Sequence, residues 1–108
     1  MLEFIKNLLG IAPDEADKDE TLRTIVSLTT ARLKMLLGGI EPPEEMDYII
    51  IDVSIRRYNR IGSEGITSHT VEGESMSFAD NDFDVFADDI QAFLNLQKAS
   101  KQGKVRFL

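Results

Sequence analysis

The chain has 108 residues, enough for one domain with a modest core, and its 43% hydrophobic and 29% charged content excludes wholesale disorder. It has no cysteine, which excludes a disulfide framework and thiolate chemistry and fits a reducing compartment. The net charge of -7 opposes the dense phosphate contacts of a typical DNA binder.

In chain order, the opening MLEFIKNLLGIA contains Glu3 and no basic leader, so it reads as mature sequence rather than a signal peptide. Leu2, Ile5, Leu8 and Leu9 share one face of a short helix that Gly10 and Pro13 end. The expected role is a helix docked on the core. Membrane association is the weaker alternative, because the polar face lacks the several lysines it would need, and no stretch reaches the roughly 20 apolar residues that span a bilayer.

Asp17 and Glu20 have capping-box spacing for a second helix that runs to about Leu37. Leu22, Ile25, Val26, Leu33, Leu36 and Leu37 form its apolar stripe, which Thr29 interrupts. Gly38 and Gly39 supply a helix stop.

Pro42 and Pro43 suit a helix start, and Glu44, Glu45 and Asp47 favour its positive end. The run Met46–Ile55 is apolar on more than one face. Three adjacent isoleucines also fit a buried strand, but the start signals and a length of roughly 18 residues favour a central helix.

That helix ends in Arg56, Arg57 and Arg60, and a polar connection from Gly62 to Ala79 follows. At about 18 residues it far exceeds the roughly 4–6 usual in a compact domain. Ile66, Val71, Met76 and Phe78 alternate there with Ser and Thr, as in a loose β-hairpin or two extended arms. Such a hairpin needs a neighbouring surface in this chain or another.

Asp80 is a candidate N-cap for the last long helix, whose stripe is Phe83, Phe86, Ala87, Ile90, Phe93 and Leu94. Lys98, Lys101 and Gly103 mark its end. The tail Lys104-Val105-Arg106-Phe107-Leu108 is β-prone and basic; it either frays or docks on a neighbour, for example by adding a strand. The expected fold is therefore a mostly α single domain, 1–108: three long helices (Thr21–Leu37, Pro43–Ile61 and Asn81–Gln97), a short N-terminal helix, a long loop or hairpin before the last helix, and an extended C-terminal tail.

Charge is unevenly placed along these elements. Acidic residues gather at Asp14, Glu15, Asp17, Asp19 and Glu20 and again at Asp80, Asp82, Asp84, Asp88 and Asp89, whereas no acidic side chain follows Gln97. Such polarity either sets head-to-tail contacts between like subunits or orients a partner. Alternatively, the clusters are helix ends matching their dipoles.

No catalytic constellation is visible. His69 is the only histidine, so a histidine metal cluster is excluded and a triad would need this one loop residue without a nucleophile elbow. Asp80, Asp82 and Asp84 imitate the opening of a calcium loop, but Val85 stands where glycine is needed and Gln91 where a bidentate Glu is needed. They read better as N-terminal helix charges. Gly62-Ser63-Glu64-Gly65 lacks the Gly-Lys-Ser/Thr of a phosphate loop. Gly38-Gly39 sits between two helices as in a helix-turn-helix, but the second helix is too acidic and apolar for a major groove.

The order YIIIDVSIRRYNRIGSEGITSHTVEGESMSF, then DFDVFADDIQAFL, resembles the small head-tail connector (adaptor) proteins of tailed phages and prophages. The opening IKNLLGI, the Asp-Glu-rich cap and LRTIVSLTTARLKMLLGG resemble that family's first helices, so the likeness covers nearly the whole chain, with Arg56–Ser75 its most specific part. The resemblance implies a mostly helical virion subunit that assembles into a homo-oligomeric ring, commonly of twelve copies, beneath the portal protein. It implies no enzymatic activity and no cofactor. The ring would extend the DNA channel at the head-tail junction, with packaged DNA passing through the lumen without specific binding, and would receive the next connector, stopper or tail-completion protein. Assembly would take place in the host cytoplasm, with no membrane involved.

Under that reading Arg56, Arg57, Arg60, Ile66, Val71, Met76 and Phe78 contribute to assembly, the long segment reaching a neighbouring subunit or the lumen. Lys104, Arg106, Phe107 and Leu108 dock on the portal. The rival class is a small acidic regulator or inhibitor that binds one protein partner, which shares the acidic balance and the missing catalytic set.

Overall fold

The structure is a computed structural model that describes residues 1–61 and 80–106, of which Asp80 and 101–106 are described by backbone alone. Four α-helices make up most of it: α1 Leu2–Leu9, α2 Asp19–Leu36, α3 Asp47–Ile61 and α4 Ala87–Arg106. Short 3-10 turns, Glu44–Met46 and Asp80–Phe86, lead into α3 and α4. The chain is a mostly α bundle, as its periodicity predicts. The expected loop or hairpin with Ile66, Val71, Met76 and Phe78 lies outside the described residues, as do Phe107 and Leu108.

α3 is the hub. It packs on α2, on α1 and on the 3-10 turn before α4. Its residues Ile49, Ile50 and Val53 meet Leu33 of α2, Leu37 just after it, Met46, and Phe83 and Ile90 of the C-terminal part in one buried cluster. Each isoleucine or leucine fully buried there contributes about 1.5–3 kcal/mol relative to exposure. The isoleucine run is thus a helix, with Ile49 and Ile50 buried and Ile51 only half-buried. Two prolines and a 3-10 turn precede it, so α proper begins at Asp47 rather than Pro43.

Gly38 and Gly39 end α2 with φ of 75° and 94°, a left-handed backbone that a side chain at Cβ disfavours. The Gly39 N–H then donates to the Lys34 carbonyl at 2.9 Å and closes the helix end.

Two expectations at the N-terminal side need correction. α2 starts at Asp19 with Lys18 as N-cap and no side-chain cap, so Asp17 and Glu20 form no capping box. Asp19 is engaged elsewhere, 2.8 Å from the buried Lys6 ammonium. Lys6 also donates to the carbonyls of Pro13 at 3.1 Å and Glu15 at 2.6 Å, which staples α1 to the start of α2. Those oxygens satisfy a cation that burial would otherwise penalise heavily. They also turn α1 so that Ile5 and Lys6 face inward, while Leu8, expected on the core face, is 65% exposed beside Phe4.

The C-terminal end differs too. The helical backbone runs through Gly103 to Arg106, so Lys104–Arg106 is not an extended tail. One glycine costs a helix only about 1 kcal/mol relative to alanine. Lys98, Lys101, Lys104 and Arg106 carry the charge that a helix C-terminus favours.

The segment from Asp82 to Asp89 runs antiparallel along α3. Asp82 meets Arg57 and Arg60 near the end of α3. Near its start the Tyr48 hydroxyl donates to Asp89, and the Tyr48 ring stands edge-on to Phe86 with centroids 5.7 Å apart. That hydrogen bond, with burial and the Asp89 charge adding to it, holds the Tyr48 phenol above its ordinary pKa. Beyond Leu94 the side chains of α4 are largely exposed through Ser100. The molecule measures 56 × 31 × 19 Å, with a radius of gyration of 16.4 Å. A compact domain of this length would have about 13 Å. No helix among the described residues is long and apolar enough to cross a membrane.

Candidate functional site: a buried arginine–aspartate clamp

The basic cluster at the end of α3 divides. Arg56 points to solvent and pairs with Asp52 one turn earlier, Nε to Oδ2 2.8 Å, with both side chains almost half exposed. Such a surface pair contributes about 0.3–0.5 kcal/mol. Arg57 is only 1% exposed. Its Nε donates to Asp82 Oδ2 at 3.1 Å and its Nη1 to the Thr29 hydroxyl at 3.3 Å. Its guanidinium carbon lies 5.4 Å from the centre of the Phe83 ring, within cation–π range. Arg60 reaches the same carboxylate from the next turn, with Nη1 2.7 Å from Oδ1 and Nη2 on Oδ2.

One aspartate, itself only 5% exposed, therefore ties α3 to the start of the C-terminal part, and Arg57 extends the tie to α2. Two charged donors on one carboxylate are the kind of geometry that offsets the cost of burying it. Arg60 stands two residues before the long 62–79 segment and Asp82 three residues after it. The clamp fixes the two stems from which that segment leaves and returns.

Burial by itself would raise the Asp82 pKa. The hydrogen bonds from Arg60 and Arg57, with their charges, outweigh it and hold the carboxyl below its ordinary value of 3.8. The folded-state pKa thus lies under the unfolded one. The clamp's contribution is complete above about pH 5 and is lost as pH falls through the folded-state value. In urea titrations the wild-type midpoint should drop more steeply below about pH 4 than that of Asp82→Asn. Parallel pH profiles would show that Asp82 titrates as a free carboxylate.

Of the residues expected at an interface, the structure brings Arg57 and Arg60 together and sends Arg56 away from them. Lys104 and Arg106 lie on the last turns of α4. The expectation that Asp82 serves as an N-terminal helix charge is corrected, since it is the buried partner of two arginines. Sequence reasoning missed Thr29, Asp82 and Lys6 as internal polar groups. Thr29 left one signal, as the polar break in an apolar stripe.

The described contacts of Lys6, Arg57, Arg60 and Asp82 join one helix to another. The chain matches the family model described as phage gp6-like head-tail connector protein over residues 1–93, and it belongs to that family. No curated protein and no solved structure gave a match. The match spans α1 to α3, the long segment and the first turns of α4. It stops where α4 leaves the body. The protein is accordingly a structural component of the phage head-tail junction.

Proposed function

We propose that this chain assembles as a ring, of twelve copies, between the portal protein and the downstream connector, stopper or tail-completion protein, and that its lumen continues the DNA channel. The family match over residues 1–93 is the observation that carries this reading. The acidic balance supports it, because a channel lined by like charge lets DNA pass without holding it. The helices α2, α3 and α4 form the body, and the segment 65–78, with Ile66, Val71, Met76 and Phe78, reaches a neighbouring subunit or the lumen. The end of the chain, Lys104, Arg106, Phe107 and Leu108, docks on the portal.

Electron microscopy of the purified protein mixed with its portal tests the reading. Rings seated on the portal are expected, and deletion of residues 104–108 should release them while the melting curve of the bundle stays that of the wild type. Undiminished attachment of the truncated protein would remove the tail from the interface. Arg56→Glu is the clean probe of the basic cluster, because reversing the buried Arg57 would disturb folding as well as assembly.

A further inference from the structure

Two helices carry a second stripe on the side away from the core. On α2, Thr24, Leu28, Ala31 and Met35 recur at steps of four, three and four, opposite the buried Leu22, Ile25, Thr29 and Leu33. On α4, Ala92, Leu96 and Ala99 recur at four and three, away from Ile90, Phe93 and Leu94. These are the steps of a helix–helix seam. All seven residues are exposed, with Leu28 at 46%, Met35 at 69% and Leu96 at 69%. The Thr24 hydroxyl donates to the Glu20 carbonyl of its own helix and so needs no further partner. An open groove bordered by Leu2, Val26, Thr30 and Ala31 runs beside the α2 stripe.

We propose that the α2 stripe of one copy packs antiparallel on the α4 stripe of the next, and that this contact builds the ring. The inference rests on the ring reading above and names its interface. With Leu96 facing Ala31, Ala99 faces Leu28 and Ala92 faces Met35, so each large side chain meets a small one, as close packing requires. Charge selects the direction. Antiparallel packing sets the acidic start of α4, Asp88 and Asp89, toward the Lys34 end of α2. It sets the basic end of α4 toward the start of α2, where Glu20 is exposed. Parallel packing would place acid against acid. Joining two different faces is a heterologous contact, which repeats from copy to copy and closes into a ring when the rotation per copy completes a full turn. α4 has the reach for it: twenty helical residues extend about 30 Å.

The absence of native cysteine makes a clean cross-linking test. Ala31→Cys and Leu96→Cys are made separately, mixed with portal, oxidised mildly and imaged on the same samples. Disulfide-linked dimers are expected in the mixture of the two variants and not in either variant alone. Leu96→Glu should keep the wild-type helix content and melting curve yet lose the rings, because Leu96 is outside the core. Rings without mixed cross-links would overturn the interface and leave the ring reading standing. Cross-linking of Ala31→Cys with itself would show a closed α2–α2 pair and overturn it as well. If wild-type protein forms no rings with portal, the ring reading falls and the interface with it.

Discussion

Asp82→Ala is expected to cost about 3–5 kcal/mol of folding stability, the range for removing one partner of a buried ion pair. The substitution leaves the Arg57 guanidinium, 1% exposed, without its carboxylate and removes the carboxylate that Arg60 shares with it. The Thr29 hydroxyl and the Phe83 ring remain on Arg57, but a cation–π contact contributes only about 0.5–2 kcal/mol. Natural domains hold about 5–15 kcal/mol in total, so the loss would show as a large fall in the urea midpoint. Asp82→Asn, which keeps an acceptor oxygen without the charge, should fall between the two. Adding Arg57→Met to Asp82→Ala should restore much of the stability, because the buried charge that lost its partner is then gone. A cost for Asp82→Ala below about 1 kcal/mol would mean that the pair behaves like a surface ion pair.

Ile49→Ala is expected to cost about 2–5 kcal/mol, through lost burial and the cavity left behind. Ile51→Ala should cost only about 1 kcal/mol. Ile49 is fully buried between α2 and the C-terminal part, whereas Ile51 is half-buried two residues later. On a helix, positions two apart point in nearly opposite directions; on a strand they share a face. The contrast therefore checks the conformation of the Tyr48–Ile55 run as well as its packing. Equal costs in equilibrium unfolding would favour a strand-like placement and contradict the bundle.

Hydrophobic period and stop signals made most of this fold legible. The stripe Leu22–Leu37 and the Gly38–Gly39 stop depend on local backbone and face geometry, which the sequence displays directly. The starts of the other two long helices do not, since 3-10 turns at Glu44–Met46 and Asp80–Phe86 precede them, with Phe83 and Phe86 of the last stripe on the second turn and α-helix only from Ala87. The polar interior was not legible, because it depends on which helices meet. Nothing local distinguishes Asp82 from its neighbours Asp80 and Asp84, and only the antiparallel return along α3 brings it to Arg57 and Arg60. Nothing local marks Lys6 for burial, and only the turn after α1 places two carbonyls and Asp19 around it. The same three oxygens explain why Leu8 turned outward. Thr29 was visible as an interruption, but its purpose needed the arginine across the helix pair.

The family was legible for a different reason. The Arg56–Ser75 pattern and the order of helices carry it as a whole, and the family match over residues 1–93 bears that out. The three arginines drew attention as one assembly cluster, yet two of them serve the interior. Both pair with Asp82, and so hold together the two stems on either side of the 62–79 segment.

Native mass spectrometry of the purified chain bound to its portal tests the central claim most directly, since it counts copies and identifies the partner at once. The account predicts a single species whose added mass equals a closed ring of twelve chains. A monomer or dimer that ignores the portal, or forms a tight stoichiometric complex with an unrelated enzyme, would contradict it.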